Sequence, residues 1–249
     1  MYMEESITTP ESPQPTSTPP AWGWRSVGLA ALVSIGALII LSLMVQVLTS
    51  GLGLEVGSGI VSPVLYLVMV GFYLSLIGGV YLFAARHAGW QALGVRSARR
   101  RDYLLVIPLY LAALFLLILI NSLIVFLIGD FENPQIEAIS GGRALTSAEL
   151  VMLLLLVAGL VPFAEELFFR GMIYPLMRYR ASIITAIALN AAAFTVVHVI
   201  PVIFPALFVL GLLLAYLRER SGSIWPSVLL HMMQNGLAIL AINAALAGT

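Results

Sequence analysis

The residues best suited to chemistry lie in a short polar run, residues 162–170, of an otherwise apolar segment. Glu165, Glu166 and Arg170 stand there, and the flanking sequence is apolar enough to lie in a membrane. A charge at bilayer depth costs at least ~2.5–3.5 kcal/mol on insertion scales, so such residues face the protein interior, find partners and usually mark a functional site. Packing alone does not explain this cluster.

The spacing of these three residues separates the two carboxylates. Residues four apart share one face of a helix, so Glu166 and Arg170 can form an ion pair, whereas Glu165 is turned about 100° away. One carboxylate would then be neutralised for structure and the other left free for chemistry. The alternative is that both glutamates share Arg170, which would leave a net negative charge buried.

Two histidines lie in equally apolar stretches further along the chain. Phe194 and His198 share a helix face by their spacing, and so do His231 and Asn235. A single histidine inside a membrane helix is more often a hydrogen-bonded packing residue than a catalyst. Two of them, with a carboxylate and an amide in neighbouring helices, favour one shared site around a water molecule.

Such a site suits hydrolysis by water. A positioned carboxylate can take the proton of a water molecule as a general base, and His198 could orient that water and later protonate a leaving amine. His231 and Asn235 could donate hydrogen bonds to one developing oxyanion, and a single donor of this kind is worth ~2.7–4 kcal/mol in a water-excluded site. No covalent intermediate is required.

Composition places the chain in the membrane class. Its 249 residues are 61% hydrophobic and 10% charged, with a mean hydropathy of +1.03, whereas soluble proteins have about 25% charged residues. The formal net charge is zero, so no global charge points to nucleic acid, and we expect no such partner. Cysteine is absent, which removes thiol catalysis, thiolate metal sites and disulfides.

Apolar runs approach or exceed the about 20 residues that a membrane-spanning helix needs. The predicted fold is therefore all-α, a polytopic bundle of about seven transmembrane helices. A capping box of Thr146 and Glu149 marks the start of the fourth helix, and Pro162 is expected to kink it. The predicted spans are residues 27–49, 60–84, 104–128, 148–178, 182–199, 202–218 and 224–246.

The positions of the arginines predict the orientation of the bundle. Ten lie in the tail or in the loops after the second, fourth and sixth spans, but only Arg143 lies in a loop on the other side. Cytoplasmic loops are rich in basic residues. We therefore expect a multi-pass protein of the cell membrane with its N-terminus in the cytoplasm and its C-terminus outside. Trp24 and Trp225 would anchor cytoplasmic helix ends, and residues 99–101 are a topology signal or a contact for anionic lipid.

Three parts are expected along the chain. Residues 1–23 are rich in Ser, Thr and Pro without apolar periodicity, which predicts a disordered cytoplasmic tail and not a signal peptide. Residues 24–102 are expected to form a transmembrane hairpin and a basic cytoplasmic loop. Residues 103–249 are expected to form the catalytic helix bundle, with its cavity open to the cytoplasm or to lipid on that side.

Spacing also predicts which residues meet. Glu165 and His198 are equally far from the turn expected between them, so in an antiparallel hairpin they lie at the same depth. His231 lies only ~10 Å into its helix, whereas His198 lies ~24 Å from its turn, at 1.5 Å per residue. The depths agree only if that hairpin extends beyond the cytoplasmic surface.

The order of these motifs resembles a known family. It is similar to the CAAX protease and bacteriocin-processing (CPBP or Abi) family of intramembrane proteases, which includes the type II CAAX prenyl endopeptidases. The resemblance covers about residues 85–247, including Leu93-Gly94-Val95-Arg96 before the core. Each motif alone is weak, whereas the ordered set is specific: Glu165-Glu166-x-x-x-Arg170, Phe194-x-x-x-His198 and His231-x-x-x-Asn235.

The resemblance implies a role for each residue. Glu165 would be the general base, and His198 would join it in holding the water. His231 and Asn235 would stabilise the oxyanion. The implied function is a glutamate-dependent intramembrane endopeptidase that acts on a membrane-associated peptide or protein in the lipid bilayer, with no cofactor. Structural support would come from Glu166, Arg170 and Phe194.

Three alternatives stay open. A metal ion, most naturally zinc, could be held by Glu165, His198 and His231, although the His-Glu-x-x-His motif of zinc proteases is absent. A transporter or proton relay could use the same intramembrane charges, although no internal repeat is evident. An immunity-type scaffold could keep the fold and bind a partner without cleaving it. An aspartyl dyad is not expected, since Asp102 and Asp130 lie at predicted helix ends.

Overall fold

The computed structural model describes residues 18–53, 59–129 and 134–248, and every regular element within these ranges is helical. The predicted all-α fold is therefore confirmed. A short helix, Pro134–Ser140, was not predicted. The helices are α1 (Trp24–Leu52), α2 (Pro63–Ala88), α3 (Arg100–Ile128), α4 (Pro134–Ser140), α5 (Ser147–Arg180), α6 (Ile183–Val196), α7 (Pro201–Ser221) and α8 (Trp225–Ala247).

Six of the described helices are long and apolar enough to cross a membrane, namely α1, α2, α3, α5, α7 and α8. The apolar helix α6 has only 14 residues, about 21 Å at 1.5 Å per residue, which is short of the ~30 Å hydrocarbon core. The predicted span 182–199 is thus too long, because the helix ends at Val196. Pro201 explains the early end, since a residue before proline avoids the helical conformation and Ile200 is extended (φ −119°).

The N-terminal part of the chain packs onto the bundle before α1 begins. Trp22 is buried at 7% exposure, and its indole N–H donates to the carbonyl of Met172, 2.9 Å away. The tail predicted to be disordered thus includes a residue that belongs to the core. Residues 1–17 of that predicted tail, and Asp130, lie outside the described residues.

Helix α5 is not a regular α-helix along its whole length. Two stretches, Leu156–Leu160 and Leu167–Ile173, are π-helical, and the α-helical turns of Val161–Glu166 lie between them. Pro162 has no backbone N–H to donate, so it interrupts the α-helical ladder. The wider turn Leu156–Leu160 lies directly before it, and π-helical turns of this kind are frequent at functional sites. The kink at Pro162 stays a prediction.

Other helices bind backbone carbonyls of α5 in or beside these wider turns. An amide or guanidinium side chain from each of α6, α7 and α8 donates to one such carbonyl. These bonds fix three helices to α5 on both sides of the glutamates. The pairs are Asn190 to Phe169 (3.0 Å), Arg218 to Arg170 (3.0 Å) and Asn235 to Val157 (2.9 Å).

The α5–α6 hairpin extends beyond the turn between α7 and α8. Arg218, in the last turn of α7, contacts the backbone of Arg170, whereas α5 continues to Arg180. This continuation is nearly three further turns at about 3.6 residues per turn. It is the overhang that the spacing required, and it lets residues of α5, α6 and α8 meet.

The capping box predicted at the start of α5 is confirmed. The Thr146 hydroxyl accepts from the backbone N–H of Glu149 (3.3 Å), and the Glu149 carboxylate accepts from the backbone N–H of Thr146 (2.8 Å).

Thr146→Ala should lower the free energy of unfolding by about 1 kcal/mol, measured by denaturant titration in detergent. Thr146→Ser keeps the hydroxyl and is the matched control. Equal stabilities of the two variants would contradict the role of the cap.

Candidate active site

A buried ion pair lies at the centre of the site. Arg170 Nη1 lies 2.9 Å from Glu166 Oε1, and both side chains are 0% exposed. Arg170 also donates to the carbonyl of Gly211 on α7 (3.2 Å), and its guanidinium lies 4.6 Å from the ring centroid of Phe194 on α6. Charges removed from water must be paired and hydrogen-bonded. The pair expected from the four-residue spacing is therefore present, and it joins three helices.

His231 completes this buried group from α8. Its side chain is 3% exposed, and its Nδ1 lies 3.1 Å from the same Glu166 oxygen that binds Arg170. The Phe194 ring packs edge-on against both histidines, with centroid distances of 4.7 Å to His198 and 5.6 Å to His231. Phe194 thus separates the two imidazoles and holds each in place.

Glu165 is bound by a different set of groups. Its Oε1 accepts from the hydroxyl of Tyr73 on α2 (3.0 Å), and its Oε2 lies 3.8 Å from His231 Nε2. Within the described residues, Arg170 is at ion-pairing distance from Glu166 and not from Glu165. The alternative in which both glutamates share the arginine is therefore wrong, and Glu165 keeps one oxygen for another partner.

His198 lies just beyond the end of α6, not inside a spanning helix as predicted. Its Nδ1 lies 2.7 Å from the carbonyl oxygen of Phe194. A carbonyl only accepts, so Nδ1 carries the hydrogen, and Nε2 is left without a protein partner among the described residues. The next residue, Val199, has φ 56°, a conformation that β-branched residues avoid. The turn thus holds strained backbone directly beside the imidazole.

Two cavities meet at Glu165. The larger, about 420 Å³, is lined by all four predicted catalytic residues: Glu165, His198, His231 and Asn235. The smaller, about 350 Å³, lies between α1, α2, α5 and the turn that follows α6. Both cavities are lined by Tyr73, Glu165 and His198, and otherwise mostly by apolar side chains.

The larger cavity extends toward the arginine-poor end of the bundle. Ile60 before α2, Ile139 on α4, and Ile200 and Ile203 at the α6–α7 turn line it there. The cavity was expected to open at the arginine-rich end of the bundle, which is the predicted cytoplasmic end. The structure has it extending toward the opposite end. The reason is the overhang, because the α5–α6 hairpin continues past the site and occupies the arginine-rich side.

Two polar residues of the larger cavity were not predicted. Tyr73 belongs to the hairpin that the sequence kept apart from the catalytic bundle, and a tyrosine in an apolar helix is ordinary in a membrane protein. Gln234 adjoins the last motif, and its buried Oε1 has no hydrogen-bond partner in the described part of the chain. Its place between His231 and Asn235 was the one signal that could have identified it.

The described residues include no group of three or more His, Asp or Glu side chains arranged to hold a metal ion. Glu165 and His231 approach each other, but Nδ1 of His231 is bound to Glu166 and Nδ1 of His198 to a backbone carbonyl. These bonds leave the Nε2 atoms of both histidines for other partners, so they do not decide between the metal-bound and the metal-free alternative. Independence from any cofactor stays a prediction.

Residues 147–237 match the family described as type II CAAX prenyl endopeptidase Rce1-like. This part of the chain is therefore similar to an Rce1-like endopeptidase domain. The resemblance predicted from the three motifs is confirmed, and all three lie within the matched residues, which run from the start of α5 into α8. This family indicates a multi-pass membrane protease. No curated protein and no solved structure matches the chain.

Glu166→Gln should lower the yield of folded protein. Arg170 would remain buried without its counter-charge, and breaking a buried pair in this way costs about 3–5 kcal/mol. The measurement is the monodisperse fraction after detergent extraction and size-exclusion chromatography. Glu165→Gln is the matched control and should keep its yield, because that carboxylate is bound by a neutral hydroxyl.

The double variant Glu166→Gln with Arg170→Gln tests the same point from the other side. It removes both buried charges and should recover part of the yield lost in Glu166→Gln. Equal yields of Glu166→Gln and Glu165→Gln would refute the division between a structural and a free carboxylate.

Proposed function

We propose that the protein is a glutamate-dependent intramembrane endopeptidase that cleaves a membrane-associated peptide or protein. One observation carries the proposal: Glu165 on α5, His198 in the turn after α6, and His231 and Asn235 on α8 line a single cavity inside the matched endopeptidase domain. That cavity is lined mostly by apolar side chains, so a substrate segment with apolar side chains, or with an attached lipid, would fit it.

In this proposal Glu165 and His198 hold the attacking water. Tyr73 binds Oε1 of Glu165 and so leaves Oε2 for a water hydrogen. His198 Nε2 accepts the second hydrogen, because Nδ1 already donates to Phe194. With both hydrogens bound, a lone pair of the water faces the scissile carbonyl carbon. Glu165 takes one proton as the C–O bond forms.

The oxyanion that forms would be stabilised by α8. Nδ1 of His231 donates to Glu166, so Nε2 can donate as well only when both ring nitrogens carry hydrogen. In that state the charges of Glu165, Glu166, Arg170 and His231 sum to zero, which suits a buried cluster. The Asn235 amide gives one hydrogen to Val157 and has a second to offer. The tetrahedral intermediate then collapses as the proton on Glu165 passes to the leaving amine.

The expected orientation, with the N-terminus in the cytoplasm, determines where a substrate would lie relative to the membrane. The larger cavity extends from the glutamates toward the ends of α2 and α7 that would lie outside. A bound segment would therefore lie within the membrane. A peptide anchored in the bilayer meets this requirement better than a soluble one.

Glu165→Gln should abolish cleavage while leaving the fold intact, because the variant lacks the base. The assay uses purified protein in lipid nanodiscs, a library of lipid-anchored peptides, and mass spectrometry of the products. Glu137→Gln is the matched control, since that glutamate is exposed on α4. A chelator should leave the rate unchanged. Cleavage that persists in Glu165→Gln, or peptide binding without cleavage in the wild type, would refute the proposal.

Tyr73→Phe should lower kcat about tenfold with little change in KM. The variant loses one hydrogen bond to a charged group, so Glu165 is held less well but the cavity keeps its shape. Tyr66→Phe makes the same substitution at another tyrosine of α2. It is the control and should retain full activity. An unchanged kcat in Tyr73→Phe would contradict a role of the Tyr73 hydroxyl in positioning Glu165.

A further inference from the structure

The stretch Leu93-Gly94-Val95-Arg96 lies outside the matched domain and has no part in the proposed reaction. Hydrogen bonds to its backbone carbonyls fix it to the turn between α7 and α8. Ile224 N–H donates to the carbonyl of Gly94 (3.0 Å), and the Ser223 hydroxyl donates to the carbonyl of Arg96 (2.5 Å). This loop and this turn therefore form one rigid unit.

Two arginines pack against this unit, and the Nε–H of each donates to a backbone carbonyl. Arg96 donates to the carbonyl of Gly222 (2.9 Å), and Arg218 donates to the carbonyl of Arg170 (3.0 Å). The glycines make room for them. A Cβ on Gly94 would lie 2.8 Å from Arg218 Cζ, and a Cβ on Gly222 would collide with the Arg96 guanidinium. Both glycines also have positive φ, 84° and 66°, so another residue there would be strained.

The terminal nitrogens of these two arginines remain uncommitted. Within the described residues, neither Arg96 nor Arg218 has an acidic partner at ion-pairing distance, and only their Nε atoms form hydrogen bonds. Glu219, an acid that lines the same pocket, is bound by the Tyr174 hydroxyl (2.9 Å) and by Arg178 (3.2 Å). Two neighbouring guanidinium groups are thus left without a counter-charge of their own, and they repel each other.

Both arginines line a pocket of about 490 Å³ that is separate from the catalytic cavities. Residues 18–22 form one wall of it. The pocket lies at the end of the bundle where α5 and α7 end and where α1 and α8 begin with Trp24 and Trp225. Tryptophans at helix ends mark the depth of the lipid headgroups, where phosphate groups are abundant.

We propose that this pocket binds the phosphate of a lipid headgroup between Arg96 and Arg218. A guanidinium presents planar N–H pairs that match phosphate oxygens, and such charge-assisted bonds are about twice as strong as neutral ones. Anchoring through Nε holds each fork in place before the ligand arrives. The bound lipid would join the tail, the α2–α3 loop and the α7–α8 turn.

Binding to delipidated full-length protein in neutral detergent tests this site. The probes are dihexanoyl phosphatidylglycerol, inorganic phosphate and dihexanoylglycerol, which lacks phosphate, and the readout is intrinsic tryptophan fluorescence. Saturable binding is expected for the phospholipid and none for dihexanoylglycerol. Arg96→Gln should weaken phospholipid binding by about tenfold, the loss of one charge-assisted contact. Arg99→Gln, an exposed arginine in the same loop, removes the same charge and should leave binding unchanged.

Further measurements separate the outcomes. Arg96→Lys, which keeps the charge but lacks the fork, should bind with intermediate affinity, and thermal melting checks that each variant is folded. Glu165→Gln should bind as the wild type does, so this site and the proposed hydrolysis can fail independently. Equal weakening by Arg96→Gln and Arg99→Gln, or no saturable binding of either phosphate probe, would overturn the site. Inorganic phosphate binding as tightly as the phospholipid would overturn the lipid as its source.

Discussion

The buried ion pair of Glu166 and Arg170 is the constraint on which the rest of the site depends. Neither side chain reaches solvent, so each must find its partners inside the bundle. Arg170 finds a carbonyl on α7 and an aromatic face on α6, and Glu166 finds an imidazole on α8. Four helices are thereby tied at one depth. A site that needs residues from several helices gains its geometry from a pair that takes no part in the proposed chemistry.

Adjacent carboxylates acquire different roles because their surroundings differ. Glu166 is bound by two cationic or polar side chains on one oxygen, whereas Glu165 is held by a neutral phenol and faces two cavities. The π-helical turns on either side of Val161–Glu166 contribute to this division. They offer carbonyls to side chains of α6, α7 and α8, so the helix that carries both glutamates cannot rotate to exchange them.

Much of the site could be predicted from the chain alone, for identifiable reasons. The pairing of Glu166 with Arg170 follows from helical spacing, and the pairing of Thr146 with Glu149 is equally local. The order of the motifs along the chain was enough to predict the family. The end of α6 does not follow from the apolar run 182–199, which continues past Val196; Pro201 is the local signal, because proline restricts the conformation of the residue before it. His198 consequently lies in a turn with strained backbone.

Sequence therefore determined what depends on neighbours a few residues apart: the apolar spans, the helix cap, the buried pair and the residues that could do chemistry. Tertiary structure alone decided which distant groups complete them. Tyr73 reaches Glu165 across ninety-two positions of the chain, and no periodicity relates the two. The π-helical turns, the overhanging hairpin and the two arginines that pack against Gly94 and Gly222 arise in the same way. Each depends on how whole helices pack, and packing is a property of all of them together.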